Sequence, residues 1–94
     1  MGNIHTSGED YLETILVLWN KQNGEVRSID VARELNVTKP SVSNAMKILR
    51  EGKFITMDEN GFITLTDAGR YVAEKIYEKH LVLTEKYLNM TPAR

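Results

Sequence analysis

Apolar residues recur at helical spacing over four stretches of the chain and alternate with polar residues over two shorter ones. The first helical stretch has one broad apolar face, made of Tyr11, Leu12, Ile15, Leu16, Leu18 and Trp19. Thr6-Ser7-Gly8-Glu9 has the spacing of a capping box and predicts the start of this helix, and Asn23-Gly24 predicts its end. In the second stretch Ser28 is the predicted N-cap, and the residues predicted to face inward are Ile29, Val31, Ala32 and Leu35.

The third helical stretch follows a short turn, Asn36-Val37-Thr38, and has two distinct faces. Thr38 is suited to cap it, Pro40 belongs in a first turn, and Gly52 is expected to end it. One face is an apolar stripe made of Val42, Ala45, Met46 and Leu49. Another face carries small hydroxyls, an amide and a lysine, namely Ser43, Asn44 and Lys47, with Lys39 and Ser41 toward its N-terminal end.

Two β-prone runs come next, at residues 54–57 and 62–65, and Asp58-Glu59-Asn60-Gly61 separates them. An Asn-Gly pair between such runs is a strong signal for a hairpin. Thr66 is then predicted to cap a last helix, from residue 67 to about 88, with the amphipathic pattern Ala68, Val72, Ala73, Ile76, Tyr77, Leu81 and Leu88. This order predicts a mainly α fold with a small β-hairpin, a winged helix-turn-helix over residues 1–94.

The polar face of the third helix is suited to reading DNA, because hydroxyl, amide and lysine groups reach base edges and phosphates in a major groove. Residues 27–53 carry six basic side chains (Arg27, Arg33, Lys39, Lys47, Arg50, Lys53) against three acidic ones (Asp30, Glu34, Glu51), although the net charge of the chain is −1. Taken alone, that face could simply be solvated, and a winged helix can also dock proteins. The order of elements favours DNA, whereas the acidic tip of the wing favours a structural role for the hairpin.

Composition excludes several other functions. The chain has no cysteine, hence no disulfide framework or thiolate metal site, and a cytoplasmic location fits. Its N-terminus lacks the regions of a signal peptide, and no apolar run approaches the roughly 20 residues of a membrane helix. No glycine-rich phosphate loop is present, and neither His5 nor His80 has a nucleophile pattern around it, so an enzyme is not expected.

Asp10, Glu13 and His80 are candidate metal ligands. Two carboxylates near a helix start have an ordinary explanation in the helix dipole, and a lone histidine on an amphipathic helix is often half-buried in the core. If the first and last helices pack together, however, two oxygen donors and an imidazole suit a divalent transition metal, with manganese, iron and zinc all possible. Both interpretations stay open at this point.

Three segments carry a family resemblance: GEDYLETILVL, SIDVARELNVTKPSVSNAMKILREGKFI and ITLTDAGRYVAEKIYEKHLVLTEKYL. From about residue 9 to 88 the chain resembles the N-terminal part of the iron-dependent repressors, the diphtheria toxin repressor-like and manganese transport regulator-like family. The resemblance implies a metal-activated, dimeric repressor that binds palindromic double-stranded operators of metal-uptake genes. It implies metal ligands at Asp10, Glu13 and His80, and the aspartate favours Mn²⁺ over Fe²⁺. The implied DNA contacts are Arg27, Ser28, Thr38, Pro40, Ser41, Ser43, Asn44 and Lys47.

One departure from the family pattern concerns the C-terminal end. Family members continue into a helical dimerization region that supplies the remaining metal ligands, whereas this sequence stops at NMTPAR. Either the sequence is a fragment or this member lacks that region. In both cases we expect weak dimerization, low operator affinity and a metal site with only part of its ligands. A winged-helix regulator that does not respond to metal and a protein-docking module are the alternatives.

Overall fold

The computed structural model describes the backbone of residues 7–89 and the side chains of residues 7–79. Its elements, in chain order, are α1 (Gly8–Lys21), α2 (Ser28–Leu35), α3 (Lys39–Glu51), β1 (Ile55–Met57), β2 (Ile63–Leu65) and α4 (Asp67–Asn89). A helix-turn-helix is therefore followed by a hairpin and a long last helix, which confirms the predicted winged helix-turn-helix. Within the described residues, no helix has the length and apolar character needed to cross a membrane.

Helix α1 lies at the centre of the fold and packs against α4, α2, α3 and β2. The predicted inward faces of α1 and α3 are confirmed, since Ile15, Val42 and Met46 are almost fully buried. The prediction for Ile29 is wrong: its side chain is 40% exposed. Helix α2 has only eight residues and buries a single narrow stripe, Val31 and Ala32, so Ile29 falls on its flank.

The apolar side of α4 is also narrower than its pattern predicts. Ala73 is buried and Val72 and Ile76 are half-buried, whereas Ala68 and Tyr77 are exposed. The side chains of Leu81 and Leu88 lie outside the described residues. Over its first three turns, α4 therefore contributes one thin stripe to the core.

The starts of α1 and α2 differ by one residue from the prediction, and in both cases a carboxylate sets the position. The Asp10 N–H donates to Oγ of Ser7 (3.2 Å), and the Ser7 N–H donates to Oδ2 of Asp10 (3.1 Å). Ser7 and Asp10, and not the predicted pair Thr6 and Glu9, thus form the capping box. Thr6 lies outside the described residues. At α2, the N–H of Arg27 donates to Oδ2 of Asp30 (2.9 Å), so Arg27 and not Ser28 occupies the N-cap position.

The hairpin is confirmed, although its turn is not centred on Asn-Gly. β1 and β2 are antiparallel, with Ile55 opposite Leu65. The N–H of Gly61 donates to the carbonyl of Asp58 (3.0 Å), which centres the turn one residue earlier, and Gly61 follows with φ 84°. That φ suits glycine, as in a three-residue hairpin loop. The Asp58 carboxylate accepts the N–H groups of Asn60 and Phe62 (both 2.9 Å), so this residue of the acidic tip organises the loop.

Candidate nucleic-acid interface

Helix α3 presents a polar surface on the side opposite its buried stripe. Ser43, Asn44 and Lys47 are exposed, while the buried residues of the same helix are Val42, Met46 and Leu49. Periodicity therefore placed the two faces correctly. The polar face of α3 is exposed to solvent and is therefore accessible to a large partner.

The start of α3 holds four more of the predicted contact residues. Lys39 and Pro40 occupy the first two helical positions and are exposed. Thr38 is the N-cap: its Oγ1 accepts the Ser41 N–H (3.2 Å), and its hydroxyl donates to Oγ of Ser41 (3.0 Å). The hydrogen of the Thr38 hydroxyl is thus used inside the chain. Ser41 keeps its own hydroxyl hydrogen for a partner.

Several basic side chains around α3 keep their charge free for a partner. Among the described residues, the ion pairs join Arg33 to Asp30 (3.9 Å) and Arg70 to Glu74 (3.5 Å). Lys39, Lys47 and Arg50 take part in neither pair and are all exposed. Unpaired, solvated cations on a helix face are suited to phosphate oxygens.

Arg27 and Ser28, the remaining predicted contacts, lie at the start of α2. Ser28 is half-buried, and Arg27 is exposed. The guanidinium carbon of Arg27 lies 4.4 Å from the centroid of the Phe62 ring, a cation–π contact between α2 and the wing. The sequence analysis missed Phe62, because the two residues are far apart in the chain and no local pattern joins them.

Of the three predicted metal ligands, Asp10 and Glu13 lie half-buried on α1. Helix α1 packs against α4, the helix that contains His80, as the hypothesis requires. The side chain of His80 lies outside the described residues, so the convergence of the three stays a prediction. Among the described side chains, no three histidine, aspartate or glutamate residues form a group that could hold a metal.

A groove of about 250 Å³ separates the first turn of α1 from the outer side of α3. Gly8 and Tyr11 line it on one side and Asn44 and Ile48 on the other. A Cβ added at Gly8 would lie 3.8 Å from Cδ2 of Leu49, so the two helices are in van der Waals reach there. The predicted metal-binding helix therefore abuts the predicted DNA-reading helix.

Residues 3–62, more than half of the 94-residue chain, match the model of the iron dependent repressor, N-terminal DNA binding domain. The chain belongs to this family. Its fold is the winged helix, and the resemblance inferred from the three sequence segments is confirmed. Members of this family are DNA-binding regulators, which confirms the prediction that the chain is not an enzyme.

Individual relatives agree with this assignment. An uncharacterized HTH-type transcriptional regulator of Methanocaldococcus jannaschii is 33% identical over 72 residues, 77% of this chain and 58% of that one. Transcriptional regulator MntR of Salmonella typhimurium is 32% identical over 77 residues, 80% of this chain and 47% of its own length. The chain thus spans about half the length of these relatives.

Among solved structures, the crystal structure of ScaR with bound Zn²⁺ is similar, with a TM-score of 0.65 and 27% identity. The match covers 79% of this chain and 34% of the ScaR chain.

Proposed function

We propose that this chain is the DNA-binding part of a metal-responsive transcriptional repressor, with α3 inserted in the operator major groove. The observation that carries the proposal is the exposed face of Ser43, Asn44 and Lys47 opposite the buried side chains of Val42, Met46 and Leu49. An amide and hydroxyls on such a face pair with base edges, and lysine meets phosphate or guanine. Arg27 and Ser28, together with the start of α3 (Thr38, Lys39, Pro40, Ser41), would fix the register on the backbone.

The proposed metal site lies between α1 and α4, with Asp10, Glu13 and His80 as ligands. Two carboxylates three residues apart on one helix present hard oxygen donors to the same point, which suits Mn²⁺ ahead of Fe²⁺. Asp10 uses Oδ2 in the capping box, which leaves Oδ1 for a ligand. When bound, a divalent cation supplies a positive charge that holds the three side chains together.

Regulation would follow from the contact between α1 and α3. Gly8 and Tyr11 flank Asp10 and line the groove against α3, so fixing the start of α1 also restricts α3. A restricted reading helix needs less ordering on DNA, which raises affinity for an operator. We include in this proposal a cytoplasmic location, a homodimer of the whole protein, a palindromic operator and control of metal-uptake genes.

The DNA half of the proposal is tested by replacing one lysine on α3 and one elsewhere. We would measure fluorescence anisotropy of a labelled duplex of about 30 base pairs, long enough for two half-sites one helical turn apart. If Lys47 meets a phosphate, Lys47→Ala weakens binding and reduces the salt slope by about one unit. Lys75→Ala on α4 is the matched control and is expected to change neither. Equal affinities for the two variants would contradict the assignment of the α3 face.

The metal half is tested by thermal unfolding with added Mn²⁺, Fe²⁺, Zn²⁺ or Mg²⁺. We expect Mn²⁺ to raise the midpoint of the wild type, because a ligand that binds only the folded state stabilises it. Glu13→Gln keeps the side-chain size but removes the charge, and is expected to abolish the shift. Glu9→Gln, in the first turn of the same helix, is the control that keeps it. An equal shift in both variants would rule out Glu13 as a ligand.

A further inference from the structure

The contact between Arg27 and Phe62 joins the loop end of the wing to the start of α2. Arg27 is exposed, Phe62 is half-buried, and the guanidinium carbon lies 4.4 Å from the ring centroid. Phe62 directly precedes β2 and closes the wing loop. The ring therefore forms a platform for a cation on the side of the molecule where α2 begins.

Backbone hydrogen bonds hold both partners of this contact. Phe62 donates its N–H to Oδ1 of Asp58 (2.9 Å) and accepts the Asp58 N–H at its carbonyl (3.0 Å). The next residue, Ile63, donates its N–H to the carbonyl of Val26 (2.8 Å), the residue before Arg27. The Arg27 N–H is bonded to Asp30 (2.9 Å). The backbones of Phe62 and Arg27 thus belong to one hydrogen-bonded unit.

The Phe62 ring has no lone pair to accept a hydrogen bond, so the cation–π contact leaves the guanidinium N–H donors for a partner with oxygen atoms. The N–H donors lie in the guanidinium plane and match a phosphate with two parallel hydrogen bonds. Arg27 is in neither ion pair of the described residues, and the nearby Asp30 instead pairs with Arg33. Its charge is therefore available to a phosphate.

We propose that Phe62 is a positioning residue, which holds Arg27 ready for a phosphate of the DNA backbone. The wing then supports DNA binding through the Phe62 side chain, where the wing loop meets β2. Its tip is unsuited to the task, since Asp58 is acidic and its carboxylate organises the loop. This inference rests on the proposed DNA-binding function. It adds Phe62, whose side chain forms no hydrogen bond to DNA and acts through Arg27.

The size of the effect follows from what the ring supplies. An exposed cation–π contact shifts a conformational equilibrium by about two- to fivefold. Phe62→Leu is therefore expected to weaken DNA binding by about that factor while the salt slope stays the same, because Arg27 still reaches the phosphate. Arg27→Ala removes the charge itself, so it is expected to reduce the slope by about one unit.

A double-mutant cycle tests the coupling, with the same labelled duplex of about 30 base pairs as probe. Phe62→Leu is expected to weaken binding in the wild type but to have no effect in the Arg27→Ala background. Phe62→Tyr keeps the ring and is expected to retain wild-type affinity. The unfolding free energy of each variant, measured in urea, shows that the folded state is populated throughout.

Two outcomes would overturn the inference: Phe62→Leu weakening binding equally in both backgrounds, or leaving the wild-type affinity unchanged. The Lys47→Ala variant separates this failure from that of the proposed function. If Lys47→Ala weakens binding and Phe62→Leu does not, the positioning role is wrong and the DNA-reading face stands. If the wild type does not bind the duplex at any salt concentration, the proposed function fails and this inference fails with it.

Discussion

The starts of α3 and α4 both place a threonine hydroxyl over a helix N-terminus, but in different surroundings. Oγ1 of Thr38 accepts the Ser41 N–H (3.2 Å), and Oγ1 of Thr66 accepts the Gly69 N–H (3.1 Å). The Thr38 hydroxyl then donates to its local neighbour Ser41, whereas the Thr66 hydroxyl donates to the carbonyl of Lys53 (2.7 Å), before β1. The threonine cap of α3 therefore makes only local contacts, which leaves the start of α3 accessible to a partner. The threonine cap of α4 in addition bonds this helix to Lys53, which precedes the hairpin.

The α4 junction is also much more crowded than the α3 junction. The Thr66 N–H donates to the carbonyl of Phe54 (3.0 Å), which brings the first turn of α4 onto this backbone. A Cβ on Gly69 would overlap the carbonyl oxygen of Phe54 and lie 2.9 Å from its carbonyl carbon. Gly69 is therefore required by close approach of two backbone segments. In contrast, Thr38, Lys39, Pro40 and Ser41 are all exposed.

The largest predicted effect comes from adding one methyl group at this crowded junction. Gly69→Ala is expected to lower the unfolding free energy by about 2–4 kcal/mol, because the backbone of Phe54 has to move. Urea unfolding followed by circular dichroism measures the change. Gly8→Ala is the control: its Cβ would meet Leu49 at an ordinary 3.8 Å, so we expect no loss. Equal losses at the two glycines would show that the close approach is not what requires Gly69.

Removing the cap of α4 is expected to have the next largest effect. Thr66→Val keeps the shape of the side chain but loses both the cap and the bond to Lys53, which together contribute about 2 kcal/mol. Thr66→Ser keeps the hydroxyl and is expected to retain most of the stability. If the valine and serine variants lose the same amount, the hydrogen bonds of the hydroxyl do not hold this junction.

The corresponding change at α3 is expected to be smaller in stability and visible in binding. Thr38→Ala loses one exposed cap, worth about 1 kcal/mol, and frees the Ser41 hydroxyl from its partner. We expect Thr38→Ala to weaken duplex binding, since the start of the reading helix frays, and Thr38→Ser to restore both properties. Unfolding and anisotropy measurements on the same samples provide the check. A stability loss as large as that of Thr66→Val would remove the distinction between the two junctions.

The two junctions also show how far the sequence predicts this fold. Both threonine caps follow from local sequence, because a capping hydroxyl acts within four residues of its partner. The bond from Thr66 to Lys53 and the contact between Gly69 and Phe54 depend on how the hairpin returns to α4, which no local pattern contains. The errors at Ser7 and Arg27 have a local cause instead: in each case the carboxylate three positions later accepts the N–H of the N-cap residue and so sets the start of the helix.

The candidate site divides along the same line. The polar face of α3 could be read from its period alone, because a helix fixes which residues share a side. The cation–π contact between Arg27 and Phe62 could not be read from the sequence, since it joins α2 to the wing. Asp10 and Glu13 share a face of α1 by spacing, whereas their meeting with His80 depends on packing between α1 and α4.

The smallest predicted effect has the opposite sign and concerns the residue that Thr66 holds. Lys53 follows α3 and has a φ of 65°, a left-handed conformation that is unfavourable for residues other than glycine. Its N–H bonds to the carbonyl of Arg50 (3.0 Å) and the next N–H, of Phe54, bonds to Leu49 (2.9 Å), so the conformation is held by the helix end. Lys53→Gly is expected to raise the unfolding free energy by about 0.5–1 kcal/mol in urea.

Lys53→Ala is the matched control for this change. Alanine removes the charge and the long side chain but keeps the Cβ, so the left-handed conformation remains unfavourable and little change is expected. A gain confined to glycine therefore reports relief at the backbone, whereas a similar gain for alanine would assign it to the loss of the lysine charge. The bond between Thr66 and the Lys53 carbonyl uses only backbone atoms of residue 53, so α4 is expected to stay fastened to the hairpin in both variants.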